Sequence, residues 1–251
     1  MRTQHFLCCF CTLSLLIGGC ASSHLLTVED MLCRPGQKAR LVGKLELRGV
    51  AVFNKGLDDR KLQFYVKDQF VGADGTNDEG YASVRYRSPD VGIDPLKVSY
   101  RGRDGVRLDT TASVFTWRKE DSILIVDIDD TICRTYKWSL LSSGEDPSPP
   151  MAGAVEVLRE LSKEFRIVYL TARPREIVPK TRRWLERNGF PTGPVLTWDV
   201  DKYPWSQGDY KKERIDQIQD DFDNVRIGIG NTDKDHQAYR KRKMFTILLD
   251  P

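Results

Sequence analysis

Residues 123–134 read ILIVDIDDTICR, four consecutive aliphatic residues running directly into three acids and a threonine. An unbroken apolar run of this length, without alternation, marks a strand buried on both faces. The chain beyond it alternates helical stripes with further runs of this kind. VEVLRELSKEF (155–165) places Val155, Leu158, Leu161 and Phe165 close to one helical face. RIVYL (166–170) is then followed by IVPKTRRWLERNG (177–189), VLTW (195–198) by YKKERIDQIQDDF (210–222), VRIGIG (225–230) by KDHQAYRKRK (234–243), and FTILL (245–249) closes the series. Gly189 stands where a helix C-cap glycine belongs. Strands alternating with helices predict an α/β fold, a parallel sheet with helices on both faces, and such sheets bind ligands at the C-terminal ends of their strands.

Each polar motif falls at one of those ends. Asp127, Asp129, Asp130 and Thr131 follow the first strand, Thr171 and Arg173 the second, and Asn231, Asp233 and Asp235 the fourth. Carboxylates crowded on one edge raise each other's pKa unless a cation lies between them, and a hard divalent ion with oxygen ligands suits that place. Magnesium is the expected cofactor. Thr171 and a lysine from the third helix would add a hydroxyl donor and a positive charge, so that together these groups surround a phosphoryl group.

The first half has a different rhythm. LVGKLEL (41–47), KLQFYV (61–66), YASVRY (81–86), LKVSY (96–100) and ASVFTW (112–117) alternate apolar with polar residues and are separated by turn-forming stretches. Period two with β-branched and aromatic residues predicts an all-β, immunoglobulin-like sandwich of roughly seven strands over residues 39–118, joined by a linker at 21–38 to what precedes it. GADGTNDEGYASVRYRSPDVG (72–92) resembles the edge of bacterial immunoglobulin-like modules. Asp74, Asp78 and Glu79 fit an acidic hairpin turn better than a calcium site. With 39 Lys and Arg against 36 acids and no basic stripe, the net charge of +3 gives no ground for nucleic acid binding. Arg240 to Lys243 read as a solvated helix end, with a membrane-surface contact as the alternative.

MRTQHFLCCFCTLSLLIGGC (1–20) has the order of a secretory signal, with Arg2, an apolar run from Phe6 to Ile17, then small residues. The run is too short to span a bilayer comfortably. Its end, LIGGC, resembles the bacterial lipoprotein box, which implies a lipidated Cys20 as first residue of the mature chain and a membrane contact through that lipid. Ala21, in place of an acidic retention signal, points to the cell envelope at the outer membrane, facing the periplasm. An ordinary signal peptide or short anchor is the alternative. Of six cysteines, only Cys33 and Cys133 then remain, as one disulfide or as two partly buried thiols.

DIDDT (127–131), LT (170–171), Lys211 and GNTDKD (230–235) stand in the right order over Ser122 to Pro251, and together they resemble the four motifs of the haloacid dehalogenase superfamily of phosphotransferases. The resemblance implies Asp127 as nucleophile and metal ligand, and Asp129 as acid and base with its carbonyl on the metal. It further implies Thr171 on a phosphoryl oxygen, Lys211 as charge stabiliser, and Asp235 with Asn231 completing a magnesium shell. Lys212 is the rival of Lys211. DIDDTI, LTARP (170–174), RRWLERNGFPTGPVLTWD (182–199) and YKKERIDQI (210–218) are most similar to the phosphatidate phosphatase branch, lipin-type and fungal-type. GNTDKD is nearer the lipin-type form, which includes non-catalytic members, but those lack an acid that Asp127 and Asp129 retain, so an active phosphatase (phosphoric monoester hydrolase) is implied.

Only about twenty residues separate Thr131 from Ala152 and about a dozen separate Trp198 from Lys211, so neither cap position of that superfamily holds a domain. An open site suits a phosphomonoester presented on a large surface, a lipid phosphate or a phosphorylated macromolecule. Around it lie Tyr136, Trp138, Leu140 and Leu141, then Trp198, Tyr203, Trp205 and Tyr210, either facing a membrane or packing on the sandwich. Three functions remain open: a lipid-anchored phosphatase acting on phosphatidate or a related ester, a broad secreted acid phosphatase or nucleotidase, and a non-catalytic lipin-type lipid-binding module. If Cys20 carries lipid, Cys20→Ala moves the protein from the detergent phase to the aqueous phase and leaves a larger precursor; an unchanged partition returns the segment to an ordinary signal or anchor.

Overall fold

The computed structural model describes residues 24–50, 53–103, 105–136, 144–199, 202 and 206–249. Cys20, Trp138, Leu140, Leu141, Tyr203 and Trp205 lie outside them. Within the first half the strands are β1 (His24–Val28), β2 (Met31–Cys33), β3 (Lys38–Val50), β4 (Phe53–Gly56), β5 (Lys61–Val66), β6 (Gln69–Gly75), β7 (Tyr81–Arg87), β8 (Gly92–Arg101) and β9 (Arg107–Thr116). Alternation decides which face each one buries. In β5, Leu62, Phe64 and Val66 point inward while Lys61 is exposed, the period that a pleated strand imposes. One sheet joins β1, β3 and β4, with β7 also on β3, and the other runs β2-β9-β8-β5-β6. Leu26, Leu41, Leu45, Leu96, Val98 and Val114 fill the space between them.

The stretch expected to be a linker, 21–38, is folded from residue 24 onward. β1 pairs with β3 and β2 with β9, and Leu26, Val28 and Cys33 enter the sandwich core. β3 to β9 are the seven strands expected over 39–118, and β1 and β2 add two from the supposed linker, because strands of three and five residues are too short for alternation to show. In the 72–81 hairpin, Asp74 accepts from Gly75 and Ser83 main-chain N–H groups, so its carboxylate is part of the turn.

In the second half β10 (Ser122–Val126), β11 (Arg166–Pro174), β12 (Val195–Trp198), β13 (Asn224–Gly230) and β14 (Phe245–Leu248) form one parallel sheet in the order β12-β11-β10-β13-β14. Between them lie α1 (Ala154–Leu161), α2 (Val178–Asn188), α3 (Gln207–Asp221) and α4 (Asp233–Lys241). Leu124, Val126, Ile167 and Tyr169 pack with Leu158 of α1 and Trp184 of α2 on one face. Ile123, Ile125, Val168 and Leu170 pack with Ile215 and Ile218 of α3 and Tyr239 of α4 on the other. α2 ends at Gly189 in the left-handed region, φ 75°. Strand order reverses at β10, between β11 and β13, and a crevice at such a reversal is where open α/β sheets hold ligands.

The two halves are locked by charge as well as by apolar contact. Phe115 and Trp117, at and just past the end of β9, join the core under α3, with Trp117 edge-on to Phe222. Glu29 and Asp30, in the turn between β1 and β2, enter the α/β half. Glu29 meets Arg214 of α3 at 2.6 Å and Arg175 at 3.5 Å, and accepts from Thr197 Oγ1 at 3.1 Å. Burial raises its pKa, but Arg175 and Arg214 outweigh that and hold the carboxyl below its usual range. Asp30 accepts from the Ser113 and Val195 N–H groups and pairs with Arg182 of α2 at 2.9 Å. Cavities of about 440 and 340 Å³ run along this seam, lined by Leu32, Val42 and Ile218 in one and by Phe115, Tyr169 and Phe190 in the other. Cys33 and Cys133 are free, buried thiols, one in each half. Because Asp30→Ala takes the carboxylate from Arg182 and the acceptor from the Ser113 and Val195 N–H groups, it should lower unfolding free energy by about 2 kcal/mol, read as a drop of several degrees in melting temperature.

Candidate active site

β10 delivers Asp127 to the reversal point, where its N–H bonds Ile229 O at 2.9 Å and ties the end of β10 to β13. The chain then turns sharply. Asp130 takes φ 55°, a conformation that aspartate tolerates better than most residues, and its carboxylate accepts from Thr135 N at 3.0 Å. Asp130 thus shapes the turn that carries Asp127 and Asp129. On the neighbouring strand, a Cβ at Gly230 would stand 2.7 Å from Asp235 Cβ, so only glycine lets α4 approach this closely. Thr232 and Asp235 form a capping box at the start of α4, with Thr232 Oγ1 donating to Asp235 Oδ2 at 2.6 Å. Asp235 therefore caps its helix through one oxygen and presents the other to the site. Asp233 is exposed on the first turn, away from the cluster.

Lys211 shares a face of α3 with Ile215, Ile218 and Phe222, at the spacing of a buried helical stripe. Its ammonium lies 2.8 Å from Asp127 Oδ1 and 2.6 Å from Asp235 Oδ1. The Lys211 side chain is 9% exposed, whereas that of Lys212 is 33% exposed and pairs with Asp209 of its own helix. The structure places Lys211, not its rival, among the acids. Burial pushes the Asp127 carboxyl up to about 6, with Asp235 and Asp129 adding to the rise and Lys211 opposing it. Burial also pulls Lys211 down, but Asp127 and Asp235 more than reverse this and hold the ammonium charged. Thr131 Oγ1 stands 3.4 Å from Asp127 Oδ2 and 3.3 Å from Asn231 Oδ1, so both oxygens face one place.

Asp129 belongs to a second group. Arg173 Nε lies 3.1 Å from each of its oxygens and Nη2 3.0 Å from Oδ1, while Thr135 and Thr171 hydroxyls donate at 2.7 and 3.3 Å. Burial favours the acid form, yet Arg173 and these donors win and keep Asp129 below the usual carboxylate range. Of the expected acids, Asp127, Asp129 and Asp235 are thus brought to one edge and divided between two cations, while Asp130 and Asp233 meet neither. Sequence reasoning missed Asp146, a fully buried acid that meets Arg173 Nη1 at 2.7 Å; in GEDPSPP it carries no signal beyond that of a loop. Of the aromatics expected on a rim, Tyr136 is exposed, Trp198 is half-buried, and Tyr210 lies wholly inside the core because it projects toward the sheet from α3.

Among the described residues no three Asp, Glu, His or Cys side chains stand together as a metal-binding group, since Lys211 lies between Asp127 and Asp235 and Arg173 holds Asp129. The donors nevertheless fit magnesium in kind. Asp127, Asn231 and Asp235 offer only oxygen, and Asp127 Oδ1 is buried with no well-directed hydrogen bond.

A parallel sheet with buried carboxylates, hydroxyls and a lysine at the reversal point of its strands defines an α/β domain built around an anionic centre at the carboxyl edge. Residues 122–244 match the family described as phosphatidate phosphatase APP1, catalytic domain, which supports the phosphatidate-phosphatase-like resemblance for this half. The chain is 31% identical over 105 residues to Nuclear elongation and deformation protein 1 of Schizosaccharomyces pombe, a stretch covering 38% of this chain and 15% of that relative. Among solved structures, the Pnkp1/Rnl/Hen1 RNA repair complex has a chain with a TM-score of 0.43 at 17% identity, over 52% of this chain and 42% of that one. The fibronectin(III)-like modules of Clostridium thermocellum CbhA give 0.27 at 18% identity, over 37% and 94%. Lys211→Ala leaves two buried carboxylates without their cation and should cut turnover of a phosphate ester by about 100-fold or more, while Lys212→Ala stays within about twofold; a larger loss at Lys212 would move the assignment by one residue.

Proposed function

We propose that this chain is a magnesium-dependent phosphomonoester hydrolase working through an aspartyl-phosphate, with phosphatidate or a related lipid phosphate as substrate. The observation that carries the reading is the bridge of Lys211 between Asp127 and Asp235 at the strand reversal, supported by the family match over the same residues. An Asp127 oxygen attacks phosphorus as the bond to the ester oxygen breaks; Asp129, held ionised in the free chain, first takes the proton of the entering ester monoanion and then gives it to that oxygen as it leaves with the electron pair. Water then attacks the aspartyl-phosphate and gives its proton to Asp129 while the bond between phosphorus and Asp127 breaks, releasing phosphate. Lys211 balances charge on the phosphoryl oxygens, and the Thr171 hydroxyl, which donates to Asp129 in the free chain, turns its one proton to one of them when the ester binds. Magnesium, held by Asp127, Asn231, Asp235 and the Asp129 carbonyl, would neutralise the phosphate dianion against these acids.

The lipid substrate is favoured by the family match and by the lack of sequence for a cap. Lipidation at Cys20, and with it an outer-membrane location facing the periplasm, completes the reading. No helix among the described residues is long and apolar enough to cross a membrane.

The test is turnover of phosphatidate micelles, a nucleotide and an aryl phosphate by the purified chain, with and without magnesium. Phosphatidate should be preferred and magnesium required; preference for the nucleotide would favour a broad phosphatase, and no phosphate release from any of the three a binding module. Asp127→Asn should abolish turnover and trapped phosphoenzyme together. Asp129→Asn should slow alkyl esters by about 100-fold while aryl esters, whose leaving group needs little protonation, lose much less; equal modest losses would reject both roles.

A further inference from the structure

Arg173 is a basic residue of the catalytic edge that the chemistry above does not use. Its obvious role, gripping the phosphoryl group, is closed to it in this arrangement. A guanidinium has five N–H donors. Here Nε faces Asp129, Nη1 reaches Asp146 Oδ2 at 2.7 Å and Thr181 Oγ1 at 3.2 Å, and Nη2 reaches Asp129 Oδ1 at 3.0 Å and Cys133 Sγ at 3.5 Å. Every donor is directed at the protein.

Asp146 is the other unexplained group. Its side chain is 0% exposed, and burying a charge costs several kcal/mol unless its partners are well placed. Neutralising Arg173 does not require it, because Asp129 already faces the guanidinium. What Asp146 adds is a second fixed point. With Asp146 and Thr181 on the far side, the guanidinium plane cannot swing, and its near side then sets the direction of Asp129. Asp146 is itself fixed, its Oδ1 accepting from Ser148 N at 2.9 Å and its main-chain carbonyl from Arg187 at 2.7 Å.

We propose that Asp146 and Arg173 are positioning residues that hold the Asp129 carboxyl in line with the leaving oxygen of the ester. The proposal rests on the phosphomonoesterase reading. It assigns a function to the segment returning to the site at residues 144–150, which anchors the acid–base residue from behind.

The test uses the full chain with an aryl and an alkyl phosphate and the variants Asp146→Asn and Arg173→Lys. An amide at position 146 can satisfy only one of the two donors that Asp146 now accepts, and lysine at 173 keeps the charge but loses the fork. Both variants should lower kcat for the alkyl ester about tenfold or more, leave the aryl ester within about threefold, and leave KM nearly unchanged. Asp129→Asn combined with Asp146→Asn should be no slower than Asp129→Asn alone. Glu145→Gln, altering an exposed neighbour paired with Arg183 and Arg187, should change neither ester. Equal losses on both esters, no loss on either, or additivity in the double variant would overturn the proposal, and if Asp146→Asn does not fold, Arg173→Lys carries the same comparison. Should Asp129→Asn itself slow both esters alike, the acid–base reading falls and the pair's role falls with it; a selective Asp129→Asn beside an unselective Asp146→Asn overturns the pair alone.

Discussion

The Lys211 ammonium, held between Asp127 and Asp235, is the contact on which the rest of the second half depends. It joins α3 to the ends of β10 and β13 and so fixes the helix across the reversal point of the sheet. Two carboxylates this close would not both stay ionised in a buried place without a cation between them. Much of the local sequence serves that arrangement. Gly230 lets α4 come close, Thr232 caps it, and the stripe of Ile215, Ile218 and Phe222 keeps the lysine face of α3 turned inward.

The division of acids between two cations gives the edge two chemical characters. Asp127 is raised toward neutrality by burial and by its acidic neighbours, while Asp129 is held ionised by Arg173 against the same burial. Environments that push similar groups apart are how one site assigns different tasks to them. In this chain the division follows from which strand supplies the cation. β11 runs past its neighbours to Pro174 and carries Arg173 to Asp129, whereas the charge facing Asp127 comes from a helix on the opposite face.

What was legible in the sequence is what repeats or sits at a fixed offset. Apolar runs separated by helical stripes gave the sheet and its helices, and the strand ends gave Asp127, Asp129, Thr171, Asn231 and Asp235. The choice of Lys211 over Lys212 followed the resemblance, and the helical stripe supplies its physical reason. Other features carried no period. Glu29 and Asp30 look like any acidic turn in LTVEDML, and Asp146 looks like loop; their importance lies in arginines more than 25 residues away in the chain. Tyr210 was left open between a membrane face and packing for a related reason, since an aromatic beside polar residues reads as a surface group until its helix is turned against the sheet.

The acidic turn between β1 and β2 has a consequence for inheritance. A chain severed between Trp117 and Ser122 would leave Arg175, Arg182 and Arg214 in one fragment and their partners Glu29 and Asp30 in the other, with Phe115 and Trp117 stripped from the core they complete. The second half therefore depends on its neighbour along this seam. Moved beside an unrelated neighbour, it would carry three arginines deprived of these carboxylates and a bare apolar surface where Phe115 and Trp117 now pack, so any such transfer would have to make good both losses.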